Sequence, residues 1–384
     1  ARSDVDDVLA DLLGATVGGT SLVDGAIVDI AGIPGVAAAF NAWAAQPCSP
    51  DLANVVAGLV QRWIQQTVDA VPSIRHVAIV GSDDLIPFAR LQDSTVVANE
   101  STYISDFDPN SSLYGALAGR TYLSDSPYGD LDPVPWLDRY AYLPELGVGR
   151  LVETPSQIVG AIQTFIDHGG LLSPQTAAIA GYDFLTDGSE EIKSNLSSIV
   201  DRDDGTPRLA DVDPTGQLLR PDWTRTDLLD GAYDRVDGTP DIISPNAHYD
   251  HYRSLPAIGD LTKTEDDLFV IGDLAVRPNI DLVNRIVFTM GCHSGLNVPG
   301  GSTLGGAKDA DWAEVYGAAR AIYVGNTGYG YGDTATVALT ERVMANFAFY
   351  LDGDRTVGQA LAQAKHDQFG RAGLYGVYDL KSIE

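Results

Sequence analysis

The stretch IVFTMGCHSGLNVPGG, residues 286–301, places Cys292 between an apolar run and a glycine-rich turn. A cysteine in that position can be a catalytic thiol, a metal ligand or an ordinary buried sulfur. A thiol becomes an effective nucleophile near neutral pH only when a base or a positive charge helps it to lose its proton. The choice between the three roles therefore depends on a partner elsewhere in the chain.

A histidine in a matching position is the candidate partner. The run DIISPNAH, residues 241–248, leads into His248, just as RIVFTMGC, residues 285–292, leads into Cys292. In open α/β sheets, catalytic and ligand-binding residues lie beyond the carboxyl ends of the strands. Strands that follow one another in sequence are often neighbours in the sheet. If these runs are neighbouring strands, imidazole and thiol emerge at the same edge. Several glycines would let a substrate chain approach the thiol, and backbone amides after the cysteine would stabilise an oxyanion; the glycines are Gly291, Gly295, Gly300 and Gly301.

Each residue of this pair also has a structural interpretation. A cysteine at a strand end is often a small buried hydrophobe, and a single histidine is often only hydrogen-bonded. A matched pair, each ending a buried strand and followed by a polar loop, favours catalysis by Cys292 and His248. Cys48 precedes a helix start and is predicted to be structural. Two cysteines so far apart make neither a disulfide framework nor a cysteine-rich zinc site.

The elements that must position these residues alternate between strands and helices. Short apolar runs predict strands from residue 76 and at 146–151, 176–183, 241–248, 285–292 and 319–326. Apolar residues three and four apart predict helices at 51–71, from 155, at 189–200, 334–351 and 356–369. Residues 92–135 and 201–240 are predicted to be mostly loop. This order predicts an α/β fold with a mainly parallel sheet flanked by helices.

The charge of the chain excludes some partners. Asp and Glu number 53 against 24 Lys and Arg, which gives a formal net charge of −29. Such a surface repels nucleic acid and anionic membranes. A salty habitat, calcium-binding loops and a cationic substrate each account for it, and composition does not separate them. Hard oxygen ligands in the loops SDSPYGDLD and DVDPTG make structural calcium possible, whereas the chemistry itself requires no cofactor.

The chain is predicted to be an excised or processed globular protein. No apolar run reaches the roughly 18 residues needed to span a bilayer. The sequence has neither an initiator methionine nor a signal peptide, and it stops at YDLKSIE without a closing turn, so we expect the parent protein to continue.

The order of these motifs resembles the gingipain-type cysteine peptidases of the caspase-like clan. The likeness lies in a strand ending in histidine, followed by a strand ending in Cys-x-Ser-Gly. Further matching stretches in the same order are TYLSDSPYGDLD, LPELGVGRLVETPSQI, ARAIYVGNTGYGYGD and VGQALAQAKHDQFG. The resemblance covers about residues 75–384. It implies a caspase-like α/β fold, with a smaller N-terminal α/β subdomain at 1–170 and a catalytic subdomain at 171–384.

The resemblance also implies roles for single residues. Cys292 would be the nucleophile, His248 the general acid and base, and Glu145 the carboxylate that orients the histidine. The family usually has glycine directly after the histidine, where this sequence has Tyr249, a bulkier residue that would narrow the oxyanion region or change the substrate groove. His251 is the rival for the base.

Specificity would depend on two further places. The loop NTGYGYGD, residues 326–333, would form a second wall of the pocket, where Tyr329, Tyr331 and Asp333 could receive an aromatic or a basic side chain. Arginine-specific members of the family have an acid just after the Gly-Arg strand. This sequence has Ser156 and Gln157 there, with Glu153 slightly earlier.

Two rival functions stay open. A zinc hydrolase could use His248, Asp250, His251, Cys292 and His293, although the HExxH motif is lacking. A non-catalytic binding module on the same fold would explain Tyr249. The resemblance implies a peptide or protein substrate and a location outside the cell or at its surface, and it leaves the oligomeric state unknown.

Overall fold

The computed structural model describes residues 2–201, 204–213, 216–220, 223–255, 268–373 and 376–384. Its α-helices, in chain order, are α1 Arg2–Gly14, α2 Val36–Ala45, α3 Pro50–Ala70, α4 Ser112–Ala118, α5 Ser126–Gly129, α6 Pro155–Asp167, α7 Thr186–Ser197, α8 Arg225–Leu228, α9 Ile271–Ala275, α10 Trp312–Ala318, α11 Leu339–Tyr350, α12 Val357–Arg371 and α13 Val377–Ile383. No helix of the described part is both long enough and apolar enough to cross a bilayer.

The strands form one five-stranded parallel sheet and several small ones. They are β1 Thr16–Val17, β2 Thr20–Ser21, β3 His76–Val80, β4 Ala89–Gln92, β5 Thr121–Ser124, β6 Val134–Trp136, β7 Arg139–Ala141, β8 Gly147–Leu151, β9 Thr176–Gly181, β10 Asp211–Val212, β11 Ile242–Asn246, β12 His248–Tyr249, β13 Arg253–Leu255, β14 Phe269–Val270, β15 Ile286–Phe288 and β16 Ile322–Val324. The order in the large sheet is β10-β9-β11-β15-β16. β3 and β8 form a separate parallel pair.

The five-stranded sheet is buried on both faces. Successive residues of a strand point to opposite sides, so Ile242 and Ile243 enter different cores. Ile286 and Phe288 pack into the core formed with α7, α11 and α12, whereas Val287 joins the aromatic core of Trp223, Tyr233, Trp312 and Tyr316. Burial on both faces explains why these strands are continuous apolar runs rather than alternating ones. The predicted α/β class, with a mainly parallel sheet flanked by helices, is confirmed.

Local signals predict the helices well. Ser49 caps α3 by accepting a hydrogen bond from the Leu52 N–H, and Pro50 occupies the first turn. Pro155 opens α6 in the same way, behind a capping box between Thr154 and Gln157. In both helices the cap removes unsatisfied N–H groups at the first turn, and the amphipathic face then turns towards a core.

Two predictions about the elements are refined by the structure. Residues 92–135, predicted to be mostly loop, lie outside helices and strands over about half their length, but they also contain α4, α5 and β5. The apolar residues of α4, Leu113, Ala116 and Leu117, are fully buried in a core with Leu123 of β5. That burial, rather than local propensity, stabilises such short elements. The strands predicted to end at residues 248 and 292 are also shorter, because β11 ends at Asn246 and β15 at Phe288. The division into subdomains at residue 170 stays a prediction.

Candidate active site

The strands that lead to His248 and Cys292 are neighbours. β11 and β15 pair in parallel, with Ile242 opposite Ile286 and Ile243 opposite Val287. Beyond the last pair, the Thr289 hydroxyl donates to the Pro245 carbonyl at 2.7 Å. Because both chains continue past the same edge of the sheet, the fifth residues after the Ile243–Val287 pair are His248 and Cys292. The predicted adjacency of the two segments is therefore present.

Asn246 explains why neither strand runs on to the predicted residue. Its side-chain carbonyl accepts a hydrogen bond from the Met290 N–H at 3.1 Å. Its amide donates to Ser189 and to Ser244 Oγ at 2.9 Å. A side chain thus takes the place of the backbone ladder, and the chain turns out of the sheet. His248 then begins β12, which pairs antiparallel with β13.

His248 and Cys292 have different surroundings. The imidazole of His248 lies edge-on to Phe184, with ring centroids 5.5 Å apart, and more distantly to Tyr182 at 6.5 Å. Cys292 is half-buried, and its Sγ lies 3.5 Å from the Gly330 carbonyl oxygen. Burial raises the pKa of the Cys292 thiol to about 11, and the Glu100 carboxylate adds to this increase. At neutral pH the cysteine is therefore a protonated thiol.

Gly291 and Tyr249 meet behind the thiol. A Cβ added to Gly291 would lie 2.3 Å from Tyr249 Cδ2, so the ring occupies the space that any side chain at 291 would need. Tyr249 is 7% exposed and packs edge-on against Trp312. The tyrosine at the usual glycine position therefore points into the aromatic core. It supports the backbone before Cys292 and is not exposed to a substrate groove.

The loop 326–333 covers the cysteine, and Asn326 attaches it. The Asn326 side-chain amide donates to the carbonyls of Met290 and Gly291 at 2.8 and 3.0 Å. The N–H groups of His293 and Gly295 donate to carbonyls of residues 328 and 326, at 2.7 and 2.8 Å. These two amides, which follow the cysteine and were expected to stabilise an oxyanion, instead hold the loop in place.

The predicted pocket residues of this loop have internal partners. The hydroxyl of Tyr329 is 3.0 Å from Thr102 Oγ1, and that of Tyr331 donates to the Ala98 carbonyl at 2.8 Å. The Asp333 carboxylate accepts from the N–H groups of Ala335 and Thr336, which closes a turn. All three side chains are partly exposed. They shape the loop beside Cys292, and their hydrogen bonds limit how far they can move towards a ligand.

His251, the rival base, is a structural residue. Its side chain is fully buried, Nε2 donates to the Lys308 carbonyl at 2.9 Å, and Nδ1 accepts from the Tyr103 hydroxyl at 2.8 Å. Because a carbonyl oxygen can only accept, the proton sits on Nε2. Burial lowers the pKa of His251 to about 4. A neutral imidazole with both nitrogens engaged is not available as the base.

The predicted zinc donors are not gathered. His293 is fully buried and turns away from the thiol to Glu100, with Nε2 2.8 Å from Oε2. Asp250 holds the Nε of Arg253 at 2.6 Å, and His251 faces Tyr103 and Lys308. In the described part of the chain, no three His, Cys, Asp or Glu residues are grouped to hold a metal ion. The donor set needed for a zinc hydrolase is therefore not assembled here.

Three carboxylates of the two acidic loops are paired with basic side chains. Asp125 binds the Arg150 guanidinium at 2.6 and 2.8 Å. Asp211 binds Arg235 at 3.3 Å, and Asp213 lies 3.6 Å from Lys193. Residues 214 and 215 of the second loop lie outside the described part. Structural calcium in these loops stays a prediction.

Glu145 and Glu153 lie at opposite ends of β8. The Glu145 carboxylate, before the strand, accepts from the Leu131 N–H at 2.7 Å. Glu153, after the strand, accepts from the Asn297 side-chain amide at 3.0 Å, which places it beside the loop that follows Cys292. A strand rises about 3.3 Å per residue, so the two acids are far apart along β8. The orienting role of Glu145 stays a prediction.

Searches with sequence find no relative: no family model matches the chain, and no curated protein matches it. Solved structures do match. The Arg-specific cysteine proteinase gingipain R matches with a TM-score of 0.48 and 13% identity, over 85% of this chain and 66% of that one. The chain is similar in fold to gingipain R.

Two further solved structures also match this chain. The complex of the Porphyromonas gingivalis RgpB pro- and mature domains matches with a TM-score of 0.49 and 13% identity, over 85% of this chain and 67% of that one. A third protease matches with a TM-score of 0.45 and 11% identity, over 85% and 66%. The chain spans about two thirds of the length of these proteins. These matches are similarities of structure, and at this identity the activity of gingipain R is not carried over with them.

Proposed function

We propose that this chain is a cysteine endopeptidase, with Cys292 as nucleophile and His248 as general acid and base. The observation that supports this most directly is the parallel pairing of β11 and β15. It brings a thiol and an imidazole past the same sheet edge, where open α/β sheets bind and convert their ligands. A glycine-rich loop, residues 326–333, lies over the thiol, with the Gly330 carbonyl oxygen 3.5 Å from Sγ.

The reaction would begin from the neutral thiol. As Sγ attacks the carbonyl carbon of the scissile peptide, the imidazole of His248 takes the thiol proton, and the carbonyl oxygen becomes an oxyanion. The C–N bond then breaks, the imidazolium gives its proton to the leaving amine, and an acyl-enzyme thioester forms. Water attacks this ester while His248 accepts a proton from it, and the acid product and the thiol are released. Because the pKa of Cys292 is raised, the base acts during the attack and not before it.

The groove would be bounded by residues on both sides of the thiol. Gly291 would let a peptide backbone approach, because no side chain projects from it. Tyr329, Tyr331 and Asp333 would line the wall that loop 326–333 forms. Tyr249 would not line the groove itself. It would support the backbone of Gly291 from the core side.

The remaining roles extend this proposal. Glu145 would orient His248, and Glu145→Gln tests that role, because the amide oxygen can still accept from the Leu131 N–H. A fall in kcat of at least about tenfold supports orientation of the base. An unchanged kcat removes Glu145 from the mechanism. We further propose an extracellular or cell-surface location with peptide or protein substrates, structural calcium among the conditions to be tested, and no nucleic-acid partner.

The test begins with the thiol. In a Cys48→Ala background only Cys292 can react with iodoacetamide, so intact mass reports a single site. Peptide cleavage is measured in the same background with a mixed peptide library. Cys292→Ala should abolish cleavage, and His248→Ala should lower kcat by at least about 100-fold. His168→Ala is the matched control, because the Nδ1 of this histidine bonds to the Thr164 carbonyl at the end of α6. Cleavage that survives Cys292→Ala would sink the proposal.

One observation favours a second candidate, a non-catalytic binding module. The thiol is covered by the Gly330 carbonyl, and its raised pKa is what an unused buried cysteine shows. Such a module would bind peptides from the library without cleaving them, and Cys292→Ala would leave binding intact. Mass analysis of the peptides after incubation separates binding from cleavage.

A further inference from the structure

A buried carboxylate, Glu100, joins the segments around Cys292. One of its oxygens, Oε2, lies 2.8 Å from His293 Nε2. The other, Oε1, accepts from the Tyr329 N–H at 2.8 Å and lies 2.7 Å from the Lys381 ammonium. Glu100 has no exposed surface. It therefore connects the residue after the nucleophile, the loop over the nucleophile and helix α13.

Glu100 lies among other buried titratable side chains. Burial by itself would raise the pKa of the Glu100 carboxyl, but the nearby His293 and Lys381 lower it overall. Lys381 also holds Asp93 at 2.8 Å, and Asp93 accepts from the Glu100 N–H at 2.8 Å. Because the ionised carboxylate only accepts, His293 must donate from Nε2. The group is a buried hydrogen-bonded network that ties its members to one another.

His293 needs such an anchor, because its backbone is strained. It has φ of 53°, a left-handed conformation that L residues other than glycine adopt at a cost. Its ring stacks on Tyr103, with centroids 3.5 Å apart and planes 5° from parallel. The stacking and the bond to Glu100 hold the ring in the interior, and the turn at 293 thereby sets the direction of the Cys292 side chain.

The loop over the thiol has a matching feature. A Cβ added to Gly328 would lie 2.4 Å from Glu100 Oε1, so only glycine lets the loop approach the carboxylate. The neighbouring Tyr329 N–H then bonds to the same oxygen. Gly330, two residues after Gly328, has its carbonyl oxygen 3.5 Å from Cys292 Sγ. The position of that carbonyl is therefore tied to Glu100.

We propose that Glu100 is a positioning residue for Cys292, because its carboxylate fastens both His293 and the loop 326–333 at one buried point. Its effect on cleavage rests on the proposed function, but its effect on the thiol does not. Loss of the carboxylate should release the loop from the thiol and disturb the turn at His293. The thiol should become easier to alkylate and poorer as a nucleophile towards peptides.

The main variant is Glu100→Gln, made in the Cys48→Ala background. The amide carries no charge to pair with Lys381. If its oxygen still accepts from Tyr329, its NH2 group faces His293 Nε2, so that nitrogen must give up its proton or lose the bond. We expect Cys292 alkylation at pH 8 to rise at least about fivefold and kcat to fall at least about tenfold, with KM within about threefold. Alkylation within about twofold of the parent overturns the proposal, whatever happens to cleavage.

A matched control separates positioning from general destabilisation. Asp83→Asn breaks another fully buried ion pair, Asp83 with Arg90 at 2.6 Å, which makes no contact with Cys292 or its loop. It should cost similar stability in denaturant unfolding and leave alkylation of Cys292 within about twofold of the parent. If Asp83→Asn raises alkylation as much as Glu100→Gln, loss of stability explains both and the proposal fails.

A second variant keeps the test decisive if Glu100→Gln does not fold. Glu100→Asp retains the charge that Lys381 needs, but it is one methylene shorter and cannot reach His293 and Tyr329 together. It should also raise alkylation, and a rate equal to that of the parent overturns the proposal. If the parent cleaves no peptide at all, the peptidase proposal fails, while the alkylation rates still decide the role of Glu100.

Discussion

The ring of Tyr249 occupies the space that a side chain on Gly291 would need, with 2.3 Å between Tyr249 Cδ2 and the position of that Cβ. Tyr249 follows His248 and Gly291 precedes Cys292, so one contact joins the two segments that carry the candidate dyad. Since the ring is held by the aromatic core at Trp312, the segments cannot easily separate. The distance between His248 and Cys292 is thereby linked to the packing of the core.

The first prediction concerns this contact. Gly291→Ala should lower the free energy of unfolding by about 1–3 kcal/mol, because the new methyl group displaces the Tyr249 ring. It should also lower kcat, since the ring and His248 move together. Gly149→Ala, where a Cβ meets nothing within 4 Å, is the matched control. Tyr249→Leu combined with Gly291→Ala should recover part of the stability in denaturant unfolding. No recovery would mean that the ring is not the obstacle.

The second prediction concerns the pH dependence of thiol reactivity. The raised pKa of Cys292, about 11, keeps the thiol protonated through the neutral range. The alkylation rate in the Cys48→Ala background should therefore climb about tenfold per pH unit between pH 7 and pH 9 without levelling off. Free cysteine, with a pKa of about 8.5, should level off within the same series. A plateau for Cys292 below pH 8 would show a preformed thiolate and contradict the burial of the sulfur.

The third prediction concerns the stability contributed by Glu341. This carboxyl has no exposed surface, accepts from the Asp333 N–H at 3.1 Å, and has a pKa raised to about 8 by burial and by Asp187. The unfolded chain releases this proton near pH 4.5, so the stabilisation is complete below that pH and is lost as the pH rises through 8. Glu341→Gln should match the wild type at pH 4 and exceed it by roughly 1–3 kcal/mol at pH 9. Denaturant unfolding at both pH values checks this, and equal stability at pH 9 would refute it.

The fourth prediction concerns His251 as a structural residue. His251→Gln should cost about 1–3 kcal/mol, because one of the two buried partners, Tyr103 or Lys308, is left without its hydrogen bond. The pKa of His251 is lowered to about 4, so its stabilisation is present above about pH 6.5 and is lost as the pH falls through 4. The stability of the variant should therefore not show the loss that protonation of His251 causes in the wild type as the pH falls through 4. The pH profile of Cys292 alkylation should not change, and a changed profile would return His251 to the active site.

Much of the sheet could be predicted from residue order, because a strand buried on both faces is a short apolar run between turns. Ile242–Asn246, Ile286–Phe288 and Ile322–Val324 all lie inside predicted runs. The ends of these strands could not be predicted. They depend on the Asn246 side chain, which replaces a ladder bond on the neighbouring strand, and no local pattern shows such a bond.

Residue order likewise predicts one part of the candidate site and not the rest. That Cys292 and His248 share an edge follows from the polarity of parallel strands, which residue order already implies. The state of the thiol does not follow, because its pKa depends on burial under Gly330 and on the charge of Glu100. The burial of Tyr249 also goes beyond the sequence, since a tyrosine after the histidine can point to the groove or to the core.

Residue types and their order determined the α/β class, the helices that begin near residues 50 and 155, and the presence of one strand leading to a histidine and another leading to a cysteine. Caps, apolar periodicity and strand polarity act over a few residues or follow from chain order, so they can be read directly. The tertiary structure alone decided that Glu100 holds His293 across 193 residues of sequence. Contacts of that kind arise only when separate segments are packed together. A buried charge is stabilised by a partner that is close in space, and that partner can be distant in sequence.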